Sequence, residues 1–206
     1  MKEYQKIQTV FKRDPETNHK KLLMGDYSLP EFEYLKDNMW EFTEKVDGTN
    51  IRVMFDGERI TFGGKTDKAQ IPAKLVEKLE GMFLPQLQGF KDIFDEEACL
   101  YGEGYGGYIQ SAGKLYGEID FILFDVKIGK WWLKRADIQD IANDFGIDVV
   151  PIIGEGTLDD LMNSVSFGFS SNWGDFTAEG VVARPKVDLL SRSGSRVITK
   201  LKHKDF

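Results

Sequence analysis

Apolar and polar residues alternate along several segments of the chain with the period of half-buried β-strands. The clearest alternation lies on either side of residues 45–50, in Trp40-Glu41-Phe42-Thr43 and in Ile51-Arg52-Val53-Met54-Phe55. Gly57 and Gly129 mark two hairpin turns, at Asp56-Gly57 and Ile128-Gly129, which favour antiparallel pairing. The pattern predicts strands over residues 39–45, 51–55, 59–63, 97–103, 119–127, 148–153, 180–184 and 196–202.

Three other segments have helical spacing. Residues 72–90 begin with a proline suited to a first helical turn and carry apolar residues three and four apart. Residues 136–145 are followed by Gly146, and a third helix is predicted to begin behind the capping residue Thr157. These elements predict a mixed α/β (α+β) fold with mainly antiparallel sheets flanked by helices. We expect one domain over residues 1–206, with residues 1–38 as an N-terminal extension of it.

Composition changes this picture in two ways. No apolar run approaches the roughly 18 residues of a membrane span, and Cys99 is the only cysteine, so we expect a protein of a reducing cytoplasm. The net charge is −7, yet residues 181–206 carry seven Lys or Arg against two acids, a local balance of +5. This charge asymmetry favours a basic groove that contacts nucleic-acid phosphates, although a merely basic tail is the alternative.

Lys45 is the main candidate for chemistry, because it lies between two predicted strands in Glu44-Lys45-Val46-Asp47-Gly48-Thr49-Asn50. A lysine amine has an ordinary pKa of about 10.4, so at neutral pH a nucleophilic lysine needs burial, nearby cations or a metal. A solvated lysine in a turn is the alternative interpretation. The choice between them depends on which other residues accompany Lys45.

Polar side chains that could serve a phosphate site recur along the chain. Alternation predicts that Lys200 and Lys202 share one strand face, where two ammonium groups could stabilise charge on a phosphate. Glu103 and Glu179 offer the hard oxygen ligands that magnesium takes. The segments that contain these candidates are Gly63-Gly64-Lys65-Thr66, Tyr101-Gly102-Glu103-Gly104, residues 119–126, Glu179-Gly180-Val181-Val182-Ala183-Arg184 and Ile198-Thr199-Lys200-Leu201-Lys202.

These segments, in this order, resemble the motifs of the covalent nucleotidyltransferases, the superfamily of polynucleotide ligases and messenger-RNA capping enzymes. Residues 45–50 match its K-x-D-G-T-N signature, and Asn50 is more similar to RNA ligases, including those of phages, than to DNA ligases. The resemblance implies an ATP-grasp-like nucleotidyltransferase domain, here without an OB-fold. Since the sequence ends four residues after Lys202, it resembles a stand-alone catalytic domain.

The resemblance also implies a role for each candidate residue. Lys45 would be the nucleophile that accepts AMP, with Lys200 and Lys202 touching the nucleotide phosphates. Lys65 stands where related RNA ligases more often have arginine. Lysine keeps the positive charge but lacks the bidentate fork of a guanidinium group. Phe121 would stack on the adenine, with Phe124 as the alternative. The implied nucleotide-binding residues are Glu44, Asn50, Lys65, Glu103, Phe121, Glu179, Lys200 and Lys202, and the implied metal ligands are Glu179 and Asp47.

The activity implied by the resemblance is ATP-dependent RNA ligation through a lysyl-AMP intermediate, for RNA repair. The implied cofactors are ATP and Mg²⁺, with Mn²⁺ as a substitute. The implied partners are RNA 5′-phosphate and 3′-hydroxyl ends and an end-healing kinase or phosphatase. We expect a monomer in the cytoplasm, or in the host cytoplasm if a phage encodes it. A DNA ligase, a guanylyltransferase and a non-catalytic nucleotide or RNA-end binding module remain the alternatives.

The predicted N-terminal extension carries basic residues that could add to an RNA-binding surface. These residues are Lys12, Arg13, Lys20 and Lys21. A solvated loop is the simpler interpretation of each of them taken singly.

Overall fold

The structure of the chain is a computed structural model that describes residues 3–206. It contains thirteen strands: β1 (Gln8–Thr9), β2 (Phe11–Arg13), β3 (Leu22–Tyr27), β4 (Trp40–Glu44), β5 (Thr49–Phe55), β6 (Ile60–Gly63), β7 (Ala98–Tyr105), β8 (Asp120–Ile128), β9 (Trp131–Trp132), β10 (Asp148–Val149), β11 (Ile152–Gly156), β12 (Gly180–Pro185) and β13 (Thr199–Lys202).

Five α-helices and four short 3-10 helices complete the secondary structure of the described residues. The α-helices are α1 (Pro30–Tyr34), α2 (Ala73–Phe83), α3 (Leu87–Ile93), α4 (Arg135–Phe145) and α5 (Leu158–Phe167). The 3-10 helices cover Pro15–Thr17, Leu84–Gln86, Gly113–Tyr116 and His203–Asp205. No helix within residues 3–206 is long and apolar enough to cross a membrane.

The chain divides into two compact units. Unit 1 contains residues 3–4 and 47–150, and unit 2 contains residues 5–46 and 151–206. Each unit has its own cluster of buried apolar residues. The prediction of one domain over residues 1–206 stays a prediction.

Unit 1 is built on a six-stranded sheet in the order β10-β8-β7-β5-β6, with β9 paired to β8. Alternation along β5 points Ile51 and Val53 into a core that also contains Leu75 and Leu79 of α2. Asn50, Arg52 and the residues opposite them on β7 therefore lie on the other face of the sheet. The helices contribute to the core on the first face, and the second face carries both Arg52 and Tyr101, whose ring packs against Tyr4 and Trp132.

Unit 2 is built on a five-stranded sheet in the order β1-β13-β12-β4-β11, beside the two-stranded sheet β2-β3. Its core combines Val10 and Phe11 from the N-terminal segment with Trp40 of β4 and Leu161 of α5. The 157–160 capping box begins α5, as the sequence predicts: Thr157 accepts from the Asp160 amide and Asp160 accepts from the Thr157 amide.

The predicted fold class is confirmed. All strand pairs are antiparallel except β1–β13 and β8–β10, and the Asp56-Gly57 turn joins the antiparallel pair β5–β6. Gly57 has φ +96°, a conformation that favours glycine in such a turn. The Ile128-Gly129 turn likewise joins β8 to its antiparallel neighbour β9.

Two predicted elements are interrupted by proline. The helix predicted over residues 72–90 is divided into α2 and α3, because Pro85 lacks the amide hydrogen that a continuous helix would use. The strand predicted over residues 148–153 is divided at Pro151 into β10 and β11, which belong to different sheets.

The N-terminal extension also differs from a loop, since it contains β1, β2, β3 and α1.

Candidate active site

Lys45 follows directly after β4, which pairs with β12 on one side and β11 on the other. Its backbone N–H donates a hydrogen bond of 2.9 Å to the carbonyl of Gly180, one residue beyond the register pair Glu44 and Val181. Sheet pairing therefore holds the backbone of the candidate nucleophile against the Glu179-Gly180 segment. Backbone pairing therefore determines the position of Lys45 independently of the contacts of its side chain.

The side chains of Lys45, Glu179 and Lys202 form one group, which we call the lysine–glutamate cluster. Lys45 Nζ lies 2.6 Å from Glu179 Oε2, and Lys202 Nζ lies 2.5 Å from Glu179 Oε1. Their side chains are 19%, 12% and 21% exposed for Lys45, Glu179 and Lys202. Three sequence-predicted residues therefore meet in a partly buried site of unit 2.

The cluster controls the ionisation of its carboxylate. Burial of Glu179 disfavours the charged form, but the positive charge of Lys45 and the hydrogen bonds from Lys202 and Lys45 act in the opposite direction. The net effect lowers the pKa of Glu179 below its ordinary value. Glu179 is therefore held as a carboxylate, which is the form that could bind a metal cation or accept a proton.

Backbone geometry explains why glycine follows Glu179. Gly180 has φ +156°, and a Cβ atom there would lie 2.0 Å from the carbonyl oxygen of Leu201 on β13. Only glycine allows β12 to approach β13 this closely, in the register that pairs Gly180 with Lys202. Lys200 is half-buried and shares the face of Lys202 by strand alternation.

Glu44, a predicted nucleotide-binding residue, is 1% exposed and holds a neighbouring turn of unit 2. Its Oε1 accepts from Ser171 Oγ at 2.6 Å, and its Oε2 accepts from the amide nitrogen and the side-chain nitrogen of Asn172 at 2.9 and 2.7 Å. The structure therefore assigns Glu44 a positioning role, which the sequence did not indicate. Its binding of the nucleotide stays a prediction.

Asn50 and Glu103 lie side by side in unit 1, because they are register partners on β5 and β7. The Oδ1 atom of Asn50 is buried and has no hydrogen-bond donor among residues 3–206. Gly48 of the motif approaches the same strand, and a Cβ atom there would lie 2.3 Å from the carbonyl oxygen of Gly104. The glycine of K-x-D-G-T-N is thus required by the contact with β7.

Lys65 is exposed on the loop that follows β6. Arg52, which is 1% exposed, holds this loop: its Nε donates to the Gly64 carbonyl at 2.9 Å and its Nη2 donates to Asp67 Oδ1 at 2.8 Å. Sequence analysis missed this role, because Arg52 occupies a polar position of the alternating segment 51–55, where a solvent-exposed side chain is expected. Whether Lys65 binds the nucleotide stays a prediction.

The prediction that Phe121 stacks on adenine is corrected by the structure. Phe121 pairs in register with Gly104, whereas Glu103 pairs with Ile122, so Phe121 lies on the opposite face of the sheet from Glu103. Its ring is 1% exposed and packs edge-on against Phe83, with centroids 5.4 Å apart. Phe121 is a core residue, and the half-buried alternative Phe124 packs 5.1 Å from the Tyr4 ring.

The predicted metal ligands were Glu179 and Asp47. Among residues 3–206 no group of three or more His, Cys, Asp or Glu side chains is arranged to hold a metal ion. Asp47 belongs to unit 1, where its amide donates to the Tyr116 hydroxyl at 3.2 Å, and Glu179 belongs to unit 2. The ionised Glu179 fits magnesium, which takes one or two carboxylates together with substrate phosphates and water. The role of Asp47 stays a prediction.

Solved structures of RNA ligases share this fold. A Naegleria gruberi RNA ligase with PPi has a TM-score of 0.65 and 20% identity, over 97% of this chain and 57% of that chain. A mutant of the same ligase with ATP and Mn has a TM-score of 0.63 and 20% identity, over 84% and 52%. Another mutant, with AMP and Mn, has a TM-score of 0.65 and 19% identity, over 99% and 60%.

The chain spans little more than half the length of these structures, and identity at this level shows the fold alone. The family itself is shown by the sequence. A family model described as RNA ligase matches residues 38–202, a range that begins just before β4 and ends with Lys202 of β13. The chain therefore belongs to the RNA ligase family.

Proposed function

We propose that the chain is an ATP-dependent RNA ligase that carries AMP on Lys45. The observation that carries this proposal is the lysine–glutamate cluster, in which Glu179 joins Lys45 to Lys202 at 2.6 and 2.5 Å. A nucleophilic amine, a carboxylate and a second cation within hydrogen-bond reach are what lysine attack on a phosphate requires. Membership in the RNA ligase family supports the same activity.

In the first step Lys45 Nζ attacks the α-phosphorus of ATP. A phosphorus–nitrogen bond forms, the bond from that phosphorus to the bridging oxygen breaks, and pyrophosphate leaves. The Lys45 ammonium must lose one proton to expose its lone pair and a second as the phosphorus–nitrogen bond forms; both protons pass to water, and Glu179 Oε2, at 2.6 Å, is within reach of the first. Lys202 and Lys200, on one face of β13, are placed to stabilise the negative charge of the phosphates.

The ion pair with Glu179 also sets a condition on this step. As long as Glu179 accepts a hydrogen bond from Lys45, it stabilises the ammonium form, which has no lone pair for attack. A divalent cation such as Mg²⁺ or Mn²⁺ at Glu179 would neutralise phosphate charge and compete with Lys45 for the carboxylate. Glu103 and Asn50 of unit 1 are proposed to bind the nucleoside.

Two further steps complete the proposed reaction. An oxygen of an RNA 5′-phosphate attacks the lysyl-AMP phosphorus, the phosphorus–nitrogen bond breaks, and Lys45 recovers a proton. A 3′-hydroxyl then attacks the activated 5′-phosphate, forms the phosphodiester and expels AMP. Each step exchanges one phosphorus bond for another, so one hard displacement is divided into three easier ones.

The proposal is tested by incubating the protein with α-labelled ATP and a divalent metal ion. We expect label on the wild type and on Lys91→Ala, which alters an exposed lysine of α3, and no label on Lys45→Ala. Label on Lys45→Ala would overturn the assignment. Nucleotide binding without any covalent label on the wild type would indicate a binding module instead.

The competing activities use the same lysine and are separated by substrate. Labelling by GTP but not ATP would indicate a guanylyltransferase, and joining of nicked DNA but not RNA would indicate a DNA ligase. A cytoplasmic location, a monomeric state and an end-healing kinase or phosphatase as partner are also proposals. The buried free thiol of Cys99 is compatible with a reducing compartment.

A further inference from the structure

A groove of about 960 Å³ opens on unit 2 between the N-terminal segment and β13. Seven lysine or arginine side chains line it, against a single carboxylate, that of Asp205. The exposed lysines of the N-terminal side are Lys6, Lys12 and Lys20, and Lys204 is the exposed lysine beyond β13. A chain with a net charge of −7 therefore concentrates positive charge in one concave surface.

Part of this positive charge is paired within the protein: Lys202 contacts Glu179, Arg13 contacts Asp205 and Lys12 contacts Asp26. Asp205 is 2% exposed and is bound to Arg13 Nη2 at 2.9 Å, so it does not face a ligand. Lys12 pairs with Asp26 at 2.7 Å, but side-chain exposures of 55% and 48% make this a weak surface pair. Lys6, Lys20 and Lys204 have no acidic partner within 4.0 Å among the described residues, so the groove keeps an excess of positive charge.

The groove is built into the fold, because the N-terminal segment is anchored in unit 2 at several points. β1 pairs with β13 in parallel, with Thr9 opposite Lys200. Val10 and Phe11 are 0% and 2% exposed in the core. Gln5 Nε2 donates to the carbonyl of Arg196 at 2.9 Å. The lysines of residues 6–20 are thus carried on an ordered scaffold beside Lys200 and Lys202.

The lining chemistry identifies the ligand class. Lysines bind phosphates as point charges, and several lysines along a groove suit a row of phosphates. No Phe, Tyr or Trp ring lies among the described residues that line the groove; its one aromatic ring is the imidazole of His19, and Ile7 and Leu29 are its only large apolar residues. Stacking on bases is therefore limited to His19, whereas the lysines contact phosphates, and contacts of this kind position a nucleic acid without reading its sequence.

We propose that this groove docks the phosphodiester backbone of one RNA strand, with Lys6, Lys12 and Lys20 binding phosphates that lead to Lys200 and Lys202. The inference rests on the proposed function for the identity of the polymer. It adds that residues of the N-terminal segment form the substrate track and that the strand is held without base specificity. A triphosphate tail or pyrophosphate is the competing occupant.

The test measures direct binding of a 5′-phosphorylated single-stranded RNA at several salt concentrations, by fluorescence anisotropy without ATP. The variant is Lys12→Ala/Lys20→Ala, and the matched control is Lys91→Ala/Lys130→Ala, which removes the same charge from exposed sites of unit 1. Affinity decreases with salt, and each single-strand phosphate contact contributes about 0.7 to the steepness of log affinity against log salt. For the groove variant, which loses two contacts, we expect this slope to become shallower by about 1.4. The control should keep the wild-type slope.

Two parallel measurements separate the possible failures. Thermal unfolding of both variants checks that exposed substitutions leave the fold intact. Labelling with ATP tests the proposed function independently. If the groove variant shows the shallower salt slope but the wild type takes no label, the proposed function fails and the RNA-binding role of the groove is retained. An unchanged salt slope in Lys12→Ala/Lys20→Ala overturns the groove. A raised KM for ATP in labelling, with unchanged RNA binding, assigns the groove to the triphosphate tail and also overturns it.

Discussion

Lys45 and Glu179 are 134 positions apart in the chain, yet Nζ of the lysine lies 2.6 Å from Oε2 of the glutamate. The strands β4 and β12 bring them together, because Glu44 pairs with Val181, one residue before Lys45 and two residues after Glu179. Closing so long a loop costs conformational entropy that one partly exposed ion pair could not offset. The sheet therefore positions the lysine–glutamate cluster, and the ion pair affects the pKa of Glu179.

The stability of the protein should depend on pH through Glu179. Its pKa lies below the ordinary glutamate value of about 4.3, so its contribution is complete above that pH and is lost as pH falls through the lowered pKa. We expect Glu179→Gln to reduce the free energy of unfolding by about 1–3 kcal/mol at pH 7, because two ammonium groups lose their acceptor. Urea unfolding of both proteins at several pH values measures this.

The matched control for this prediction is Glu155→Gln, which removes an exposed carboxylate paired with Lys186. That change should alter stability by no more than about 0.5 kcal/mol. The difference between wild type and Glu179→Gln should shrink below pH 4. A difference that persists unchanged at low pH would contradict a charge-based contribution.

Arg52 should be important for the loop that carries Lys65. Arg52→Met removes the donors to Gly64 and Asp67 from a side chain that is 1% exposed, so we expect a loss of about 2–3 kcal/mol. Arg59→Met, at an arginine that is 77% exposed and paired with Asp56, should cost at most about 0.5 kcal/mol. Equal losses in the two variants, measured by urea unfolding, would exclude a special role for Arg52.

Two glycine substitutions should have opposite effects. Gly48→Ala places a Cβ atom 2.3 Å from the Gly104 carbonyl oxygen, so the backbone must shift, at a cost of about 1–3 kcal/mol. Gly81→Ala has nothing within 4 Å of its new Cβ and lies inside α2, so it should stabilise by about 0.5–1 kcal/mol. Thermal unfolding distinguishes the two signs, and stabilisation by Gly48→Ala would contradict the described contact.

The thiol of Cys99 should be unreactive in the folded protein. Burial raises the pKa of Cys99 to about 11, so at pH 8 its thiolate fraction is about two orders of magnitude below that of an ordinary cysteine. Alkylation by iodoacetamide at pH 8 should therefore be at least about 100-fold slower in buffer than in urea, and should accelerate as the pH approaches 11. Equal rates in buffer and in urea would show that the thiol is open to solvent.

Local patterns were sufficient for much of the fold. Alternation predicted strands over residues 39–45 and 51–55, which correspond to β4 and β5, because one face of each strand is buried and the side-chain period is two. The two hairpin turns followed from glycine chemistry. The apolar pattern predicted elements that continue through Pro85 and Pro151. In the structure each element is divided there, because proline lacks the amide hydrogen that a continuous helix or strand would use.

The sequence by itself determined the chemistry that is available: the order of the motifs, Lys45 with its glycine turn, and the carboxylate and lysines of residues 179–202. Only the tertiary structure decided which of these side chains meet and which face of a sheet each one takes. Lys45, Glu179 and Lys202 meet because β4, β12 and β13 are neighbours. Phe121 lies in the core because its register with β7 places it on the sheet face opposite to that of Glu103. That register depends on long-range strand pairing and not on local composition.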